Sequence, residues 1–386
     1  MKTTYIIVLA IVVIVVIIGS VFAYVYLSKP STSTSSKKLA AATINGAGGT
    51  LVYPLMTTWI AQYTSAGVEP QITITYNPTG SGTGITDFTE GLENFGESDA
   101  PMTTTQYAAL PKGSTAITIP LTASAVVPAY DIPGVGNGLN FTGSILADIF
   151  MGKITNWDSP QIAAINPGTT LPNLPIICVH RSDGSGTMFA FTDFLYDTSS
   201  TWASTVGKPS TSPSIWPTIS GELEGSKNAG VALLIGENKG AIGPLEISYI
   251  LDNPGETSVQ YGAVQNAAGK YIMPTTADME AALAAGASSG LPAGNQAWTS
   301  VSIIDKTYNN ASATTIYPIV TMTYALVYEQ QTNNAQGAAL VNFLSWIVND
   351  GQNLGTGIGY IPLPANIVAV DNASLKLITY NGTPII

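Results

Sequence analysis

The chain has 386 residues, of which 45% are apolar and only 10% are charged, and its net charge is −11. This composition excludes nucleic-acid binding, because no basic surface is available to neutralise phosphate groups. One cysteine and one histidine, Cys178 and His180, exclude an intrachain disulfide and a zinc site built from Cys and His ligands. We expect both residues to pack within a strand. We predict no metal and no cofactor, although a site of carboxylates alone stays open.

The N-terminus predicts a membrane segment. Residues 5–27 carry no charge and are long enough to span a bilayer as a helix, so we predict a membrane anchor over 1–27. The alternative is a signal peptide that is cleaved after Ala23, which would leave a secreted protein. Both interpretations place the rest of the chain outside the cytoplasm. The Ser/Thr-rich run over 28–42 predicts a linker between this segment and the folded part.

The rest of the chain alternates between β-rich and helical patterns, which is typical of α/β folds. Strands, in part with the turns that follow them, are predicted over 43–50, 71–78, 115–132, 174–181, 240–250 and 316–330. Helices are predicted over 53–67, 80–92, 143–152, 185–196 and 335–350. The last of these helices has a clear amphipathic spacing.

Three of the strands run into a turn of Gly and Ser or Thr that begins a helix, at 46–50, 80–84 and 184–187. The start of a helix offers free N–H groups and a partial positive charge, and glycine lets the backbone come close to a ligand. The third turn follows a fixed cation, Arg181. Each turn alone is consistent with an ordinary helix cap, but together they predict a site for a small anion.

The catalytic motifs in the sequence lack the context that they need. Residues 286–290 fit the G-x-S-x-G nucleophile pattern, but the residues before them are helical and the histidine lies far upstream. Asp87, Asp99 and Asp183 have no nucleophile–base pair in the sequence to work with. We therefore predict that the protein is not an enzyme, and a phosphatase or esterase is the least favoured alternative.

Several segments match the motifs of one protein family in the same order. INGAGGTLVYPLMTTWIAQY is similar to that family's first Gly-rich segment, and GSGTGITDFTEG followed by FGESDAPM is similar to its GSG turn and F-G-A-S-D-x-P motif. HRSDGSGTMFAFTDFL is close to its R-x-D-G-S-G-T motif. The later segments GAIGPLEISY and YPIVTMTY also match. On these segments, which together extend over about 44–328, the chain resembles the phosphate-binding subunit of the phosphate-specific ABC importer, the PstS type.

The resemblance implies an α/β fold of the periplasmic-binding-protein type (class II-like), with a ligand cleft between two α/β lobes. On this chain we expect lobe I over 43–124 plus 317–386 and lobe II over 125–316. The implied function is an extracytoplasmic solute-binding protein that captures inorganic phosphate and delivers it to the permease subunits of an ABC importer. We expect a monomer that is tethered to the cell surface through its N-terminal segment.

The same resemblance implies which residues contact the phosphate. The expected ligands are Thr50, Leu51, Ser81, Asp99, Arg181, Ser185, Gly186 and Thr187, and the expected supporting residues are Gly49, Gly82 and Asp183. Asp183 is expected to hold the guanidinium of Arg181. Leu51 stands where the family usually has Phe, and we expect only its backbone N–H to contribute.

The resemblance also implies that Asp99 distinguishes phosphate from other tetrahedral anions. A carboxylate that faces an anion is unfavourable unless the anion has a proton to donate, as phosphate does near neutral pH and sulfate does not. A receptor for sulfate, molybdate or tungstate would keep the fold without needing Asp99. The other alternative is a surface or adhesion module that has kept the fold without transport.

Four sequons are candidates for glycosylation if the chain is exported. They begin at Asn140, Asn310, Asn372 and Asn381.

Overall fold

The computed structural model describes residues 39–65, 68–252 and 258–386. The predicted anchor over 1–27 and most of the predicted linker over 28–42 lie outside the described residues. Within the described part of the chain, no helix is long and apolar enough to cross a membrane.

Strands and helices alternate along most of the described chain. The helices are α1 (Tyr53–Ser65), α2 (Ser81–Thr89), α3 (Thr104–Ala108), α4 (Gly143–Phe150), α5 (Pro160–Ile165), α6 (Gly186–Thr198), α7 (Ser200–Thr205), α8 (Lys227–Glu237), α9 (Ser248–Leu251), α10 (Thr276–Ala287), α11 (Ile303–Thr307), α12 (Asn334–Asn349) and α13 (Ala365–Leu375). The strands are β1 (Ala42–Gly48), β2 (Ile72–Asn77), β3 (Phe95–Ser98), β4 (Ala116–Tyr130), β5 (Asn140–Phe141), β6 (Ile177–Arg181), β7 (Leu223–Gly225), β8 (Ala241–Glu246), β9 (Gln260–Tyr261), β10 (Ala263–Gln265), β11 (Tyr271–Ile272), β12 (Val320–Tyr328), β13 (Gln330–Gln331), β14 (Tyr360–Ile361), β15 (Thr379–Tyr380) and β16 (Thr383–Pro384).

The main sheet is mixed, and its strand order is β2-β1-β3-β12-β4-β8-β6-β7, with β9 and β14 paired to β4. At one end β1 lies parallel to β2 and β3, and at the other end β6 lies parallel to β7 and β8. In the centre, β12 and β4 run antiparallel to their neighbours. Ligand sites of α/β sheets lie at the carboxyl ends of the parallel strands, which here lead into the three Gly-rich turns.

Strand β4 joins the two parallel groups of the sheet. All 15 of its residues are buried. The strand pairs with β12 as far as Ala125, and from Val126 onward it pairs with β8. This change of partner lies close to the predicted lobe boundary at residue 125. However, residues 39–386 group into one compact unit, so the division into lobes stays a prediction.

The structure differs from the predicted elements in two places. Residues 46–48, which we predicted as part of a turn, belong to β1, because they pair with β3 and lie against the ring of Phe95, where a side chain on Gly46 would clash. The predicted strand over 240–250 ends at Glu246 and is followed by the short helix α9. The chain turns there because the Ser248 N–H donates to the Glu246 carboxylate at 3.0 Å.

Several sequence-based expectations concern single residues. Cys178 and His180 are buried in β6, as predicted, and burial raises the pKa of the Cys178 thiol to about 12. Residues 286 and 287 end helix α10 and residues 288–290 follow it, so a helix and not a strand precedes Ser288, which agrees with rejecting the nucleophile pattern. Of the sequons, Asn381 is exposed, whereas the Asn140 side chain is half-buried and donates to the Ile165 carbonyl at 2.9 Å.

Glu246 lies fully buried at the end of β8, beside the point where β4 changes partner. Its carboxylate accepts hydrogen bonds from the Ser124 hydroxyl at 2.5 Å and from the N–H and hydroxyl of Ser248. Burial nevertheless raises the pKa of Glu246 to about 8, and these hydrogen bonds only partly oppose the effect. At neutral pH this carboxyl group is therefore mostly protonated.

Because its folded-state pKa is raised, Glu246 contributes stability that is present below the usual pKa of a glutamate and is lost as the pH rises through about 8. We expect the free energy of unfolding to fall between pH 5 and pH 9, with Glu246 accounting for on the order of 3–5 kcal/mol. Urea unfolding of wild type and Glu246→Gln at both pH values measures this difference. The amide does not titrate, so the variant should lose less stability at pH 9; an identical pH dependence would contradict the prediction.

Candidate functional site

The three Gly-rich turns meet in the structure. The Gly80 N–H donates to the Gly48 carbonyl at 2.7 Å, and the Gly82 N–H donates to the Gly184 carbonyl at 3.2 Å. Gly80 has a φ of 96°, in the left-handed region that favours glycine. A Cβ on Gly82 would lie 3.0 Å from the Cα of Gly184. The two turns touch backbone to backbone, and larger residues would hold them apart.

Helix α6 begins directly against Asp99. A Cβ placed on Gly186, the first residue of the helix, would lie 2.8 Å from Asp99 Oδ2 and 2.7 Å from Ser81 Oγ. The Ser81 hydroxyl donates to Asp99 Oδ2 at 3.1 Å. The first N–H groups of a helix have no partner within it and carry its partial positive charge. The turns after β2, β3 and β6 therefore surround one point with donors and a single carboxylate.

Arg181 is the only arginine in the chain, and it is 1% exposed. Its Nε and Nη2 donate to the two oxygens of Asp183 at 2.8 and 2.5 Å, a bidentate pair that fixes the plane of the guanidinium. Its Nη1 donates to the Ser185 hydroxyl at 2.8 Å. Asp183 compensates the charge of Arg181, so the pair offers oriented N–H donors with little net charge.

The sequence analysis missed Asn228, which links three of the expected ligands. Its backbone N–H lies 3.4 Å from Thr50 Oγ1, its Oδ1 accepts from Arg181 Nη1 at 3.4 Å, and its Nδ2 donates to Thr187 Oγ1 at 3.3 Å. Asn228 is fully buried on α8, 41 residues beyond Thr187. No motif in the sequence marks this position, because its contacts arise only when the start of α8 lies beside Thr50, Arg181 and Thr187.

Lys227, the residue before Asn228, has a strained backbone. Its φ is 64°, a conformation that costs a non-glycine residue about 1–2 kcal/mol. Its N–H donates to Asp183 Oδ1 at 2.8 Å. The strained residue therefore supports the carboxylate that holds Arg181, and it places Asn228 against the site.

The two hydroxyls of the third turn have their acceptor positions filled from within the protein. Ser185 Oγ accepts from Arg181 and, as the N-cap of α6, from the Met188 N–H at 3.2 Å. Thr187 Oγ1 accepts from Asn228. A hydroxyl that already accepts hydrogen bonds keeps its own proton to donate. These contacts prepare both side chains to donate to an anion.

The first turn is held from the opposite side by two tyrosines. The Tyr249 hydroxyl donates to the Thr50 carbonyl at 2.7 Å, and the Tyr360 hydroxyl donates to the Leu51 carbonyl at 2.6 Å. Thr50 and Leu51 are both buried, and the Leu51 side chain belongs to the hydrophobic core. The Leu51 side chain is therefore not available to a ligand, and a contact from its backbone N–H stays a prediction.

Asp99 is buried beside these donors. It is 2% exposed, and its Oδ1 has no hydrogen-bond partner among the described residues. Burial raises the pKa of Asp99 to about 6, although the hydroxyls of Thr323 and Ser81 and the charge of Arg181 oppose the shift. Above that pH the group is an ionised carboxylate with one oxygen free to accept a proton from a ligand.

A second buried carboxyl group, Glu97, lies next to Asp99 and was not identified from the sequence. A Cβ on Gly49 would lie 2.5 Å from Glu97 Oε2 and 3.0 Å from both oxygens of Asp99, so the two groups surround the same point. The hydroxyls of Tyr76 and Thr323 donate to Glu97. Burial and the neighbouring Asp99 carboxylate raise the pKa of Glu97 well above its usual range. Two such carboxyl groups do not both ionise readily, so the pair retains a proton at neutral pH.

The arrangement suits a small oxyanion that carries a proton. Hydroxyls and helix N–H groups surround the point on which Arg181 and Asp99 converge, and hydrogen bonds to a charged group contribute about 1.5–3 kcal/mol each. Asp99 supplies an acceptor, which would repel a fully deprotonated anion. Seven of the eight ligands that we predicted from the sequence lie in contact with one another or with Asn228, and Leu51 is the exception. The contacts of all eight with an anion stay predictions.

Comparisons with known proteins identify the family of this chain. Residues 32–350 match the family described as the PBP superfamily domain. The chain is 34% identical over 339 residues to the phosphate-binding protein PstS of Xylella fastidiosa, covering 88% of this chain and 86% of that protein. It is 31% identical over 361 residues to the phosphate-binding protein PstS of Methanocaldococcus jannaschii, covering 90% of this chain and 89% of that protein.

The fold is also similar to a solved structure, that of a high-affinity periplasmic phosphate-binding protein with bound phosphate. The TM-score is 0.67, the sequence identity is 21%, and the match covers 86% of this chain and 93% of that one. At this identity the likeness shows a shared fold.

Replacing Glu97 tests whether its contacts hold the site together. We expect Glu97→Ala to lower the free energy of unfolding by about 2–4 kcal/mol, because it leaves a cavity and removes the acceptor of two buried hydroxyls. Glu97→Gln keeps the volume and one acceptor oxygen, so it should cost less than half as much at pH 5. Urea unfolding measures both, and Tyr76→Phe in each background is the control. Equal losses in the two variants at pH 5 would mean that the amide cannot replace the carboxyl group, and would contradict the prediction.

Proposed function

Because the chain belongs to the PBP superfamily and, within it, to the phosphate-binding proteins of the PstS type, we propose that its site captures inorganic phosphate for delivery to an ABC importer. The fold is the α/β fold of periplasmic binding proteins. Proteins of this family bind substrates for transport, and we propose that this chain catalyses no reaction.

The observation that carries the proposal is the position of Asp99. Its carboxyl group lies at the start of α6, with Oδ2 beside Ser81 and Gly186 and with Oδ1 lacking a hydrogen-bond partner among the described residues. Hydrogen phosphate has oxygens to accept from the helix N–H groups and hydroxyls, and it also has a proton to donate to Asp99. Sulfate has no such proton at neutral pH, and it would leave the buried carboxylate unpaired against a like charge.

We assign the contacts as follows. Thr50, Leu51 and Ser81 donate from one side of the phosphate, and Arg181, Ser185, Gly186 and Thr187 donate from the other. Asp183 holds the guanidinium, and Gly49 and Gly82 allow the close approach of the backbone. We add Asn228 as the residue that links the two sides and Glu97 as the residue that shares a proton with Asp99.

The wider arrangement is also a proposal. We propose two lobes, lobe I over 43–124 plus 317–386 and lobe II over 125–316. The lobes would separate to admit phosphate and then close on it, because a ligand that contacts both lobes favours the closed state. PstS-type proteins function outside the cytoplasm, and we propose that the segment over 1–27 tethers this one to the membrane as a monomer beside its permease.

Replacing the chain's one arginine is the most direct test. Arg181→Ala removes a donor group that Asp183 holds toward the ligand, so we expect phosphate affinity to fall at least about 100-fold, or ~3 kcal/mol. Calorimetry on phosphate-depleted protein measures the affinity. Arg181→Lys keeps the charge but not the bidentate geometry, and it should also bind weakly.

The control for Arg181 is Lys153→Ala, which removes an exposed cation whose only described ion pair is with Asp148. It should bind phosphate as wild type does. Circular dichroism confirms that each variant is folded. Unchanged phosphate binding by a folded Arg181→Ala variant would contradict the assigned site, and no phosphate binding by the wild-type protein would favour the surface or adhesion module.

The Asp99 carboxylate should control the choice between phosphate and sulfate. With a pKa of about 6, Asp99 is ionised at pH 8 and mostly protonated at pH 5, where it would donate to sulfate. We expect wild-type protein to reject sulfate at pH 8 and to bind it measurably at pH 5. Asp99→Asn, which can donate at any pH, should bind sulfate at pH 8 and should lose about 10–100-fold in its preference for phosphate.

Calorimetric titrations with both anions at the two pH values test the Asp99 prediction, and Asp252→Asn, an exposed aspartate outside the site, is the control. Equal affinity of the wild-type protein for phosphate and sulfate at pH 8 would identify a general oxyanion receptor instead.

A further inference from the structure

His180, the only histidine in the chain, has an unused ring nitrogen. The residue is 4% exposed, and its ring stacks on Trp216 with a centroid distance of 5.4 Å. Its Nδ1 lies 3.1 Å from the Arg181 carbonyl, which can only accept, so Nδ1 carries the proton in this contact. Its Nε2 is buried and lacks a hydrogen-bond partner within the described residues. The ring therefore presents a fixed lone pair, in the tautomer that metal-binding histidines adopt.

Two glutamates lie in front of this nitrogen. Strands β6 and β7 run parallel with His180 opposite Glu224, and Glu222 immediately precedes β7. Glu222 Oε2 lies 3.7 Å from His180 Nε2, which is too long for a hydrogen bond. One ligand atom from each of the three residues lies within 4.8 Å of the others. The Ile219 N–H donates to Glu222 Oε2 at 3.1 Å and orients this carboxylate.

We propose that His180, Glu222 and Glu224 form a binding site for a divalent transition-metal cation such as Zn²⁺. One imidazole and two carboxylates are ligands that Zn²⁺ accepts, and three protein ligands leave a position for water. Glu224 is exposed, so the site opens to solvent and a cation can enter. A cation would pair the buried Nε2 and compensate the charges of the two glutamates.

The donor set distinguishes this site from the other acidic cluster among the described residues. Asp193, Asp197 and Asp305 also lie close together, but they offer oxygen atoms alone, and Asp193 already accepts from the Ser302 hydroxyl at 2.7 Å. A nitrogen ligand favours Zn²⁺ or Co²⁺ over Ca²⁺ or Mg²⁺. The aspartate cluster therefore serves as an internal comparison for non-specific attraction of cations.

A metal at this position would stabilise the strands that carry the anion site. The Ser182 N–H donates to the Gly225 carbonyl at 3.0 Å, next to Arg181 on β6. Strand β7 leads directly into Lys227 and Asn228. Joining Glu222 and Glu224 to His180 would hold this segment against β6 in the absence of phosphate, so metal binding should raise the Tm of the ligand-free protein.

The sequence analysis predicted no metal, because one histidine and one cysteine do not provide a zinc site by themselves. Glu222 and Glu224 lie 42 and 44 residues after His180 and follow no ligand-spacing motif, so only the pairing of β6 with β7 identifies them.

The test is calorimetry of the full chain, freed of metal with a chelator and kept in phosphate-free buffer, with Zn²⁺ as titrant. We expect one saturable site and a higher Tm with Zn²⁺. With Co²⁺, visible absorption bands should report coordination by nitrogen and oxygen ligands. Mg²⁺ at the same concentration should give neither heat nor a shift in Tm.

The variants distinguish this site from adventitious binding. Glu224→Gln changes an exposed residue and is expected to fold. Loss of a residue that only supports a metal ligand lowers metal affinity by about 10–100-fold, and we expect the Zn²⁺ affinity of this variant to fall by more than that. His180→Gln should abolish the Co²⁺ bands. Asp305→Asn, in the aspartate cluster, should leave binding unchanged.

Three results would overturn the proposal: no saturable binding by wild type, equal binding by wild type and Glu224→Gln, or loss of binding in Asp305→Asn. The first would mean that the three side chains lie close together without binding a cation. The other two would indicate an adventitious ion only.

Discussion

The buried guanidinium of Arg181 is the constraint on which the site depends. A charged group removed from water must have its hydrogen-bonding capacity met by the protein or by a ligand, because an unpaired buried charge costs several kcal/mol. Asp183 accepts hydrogen bonds from Nε and Nη2 of the guanidinium. Ser185 and Asn228 accept hydrogen bonds from its Nη1. The protein accepts backbone strain at Lys227 to hold Asp183 in place. Removing any one of these partners would disturb the others.

The buried carboxyl groups differ from Arg181, because burial favours their uncharged form. Glu97, Asp99 and Glu246 are buried with hydroxyls as their neighbours, and burial raises the pKa of each. Such groups are most stable when protonated, so an interior of this kind favours mildly acidic conditions. The pKa of Asp99 is raised only to about 6, so Asp99 is ionised at neutral pH, whereas the pKa of Glu246 is raised to about 8. The same burial that costs stability therefore makes Asp99 sensitive to whether a ligand brings a proton.

The fold brings the two kinds of group together at one edge of the sheet. Strand β4 carries the chain from the β1–β3 side to the β6–β8 side without a break, and the Gly-rich turns meet across it. Gly82 and Gly184 allow this contact because neither has a side chain to occupy the space. Because β4 pairs with β12 along its first part and with β8 along its second, it brings the Asp99 acceptor that follows β3 beside the donors that follow β6.

The sequence by itself determined the α/β class, the Gly-rich turns before α2 and α6 and the local unit from Arg181 to Thr187, because periodicity, glycines and a short run of polar residues act over a few positions. The roles of Asp99 and Asp183 came with the family resemblance. Glu97 stands two residues before Asp99, so the two-residue period of a strand already places it on the same side of the chain. Only the tertiary structure decided that Asn228 lies beside Arg181 and that Glu222 and Glu224 lie beside His180. These contacts join segments that are more than 40 residues apart, and they depend on which strands pair and on where α8 begins, which no local pattern specifies.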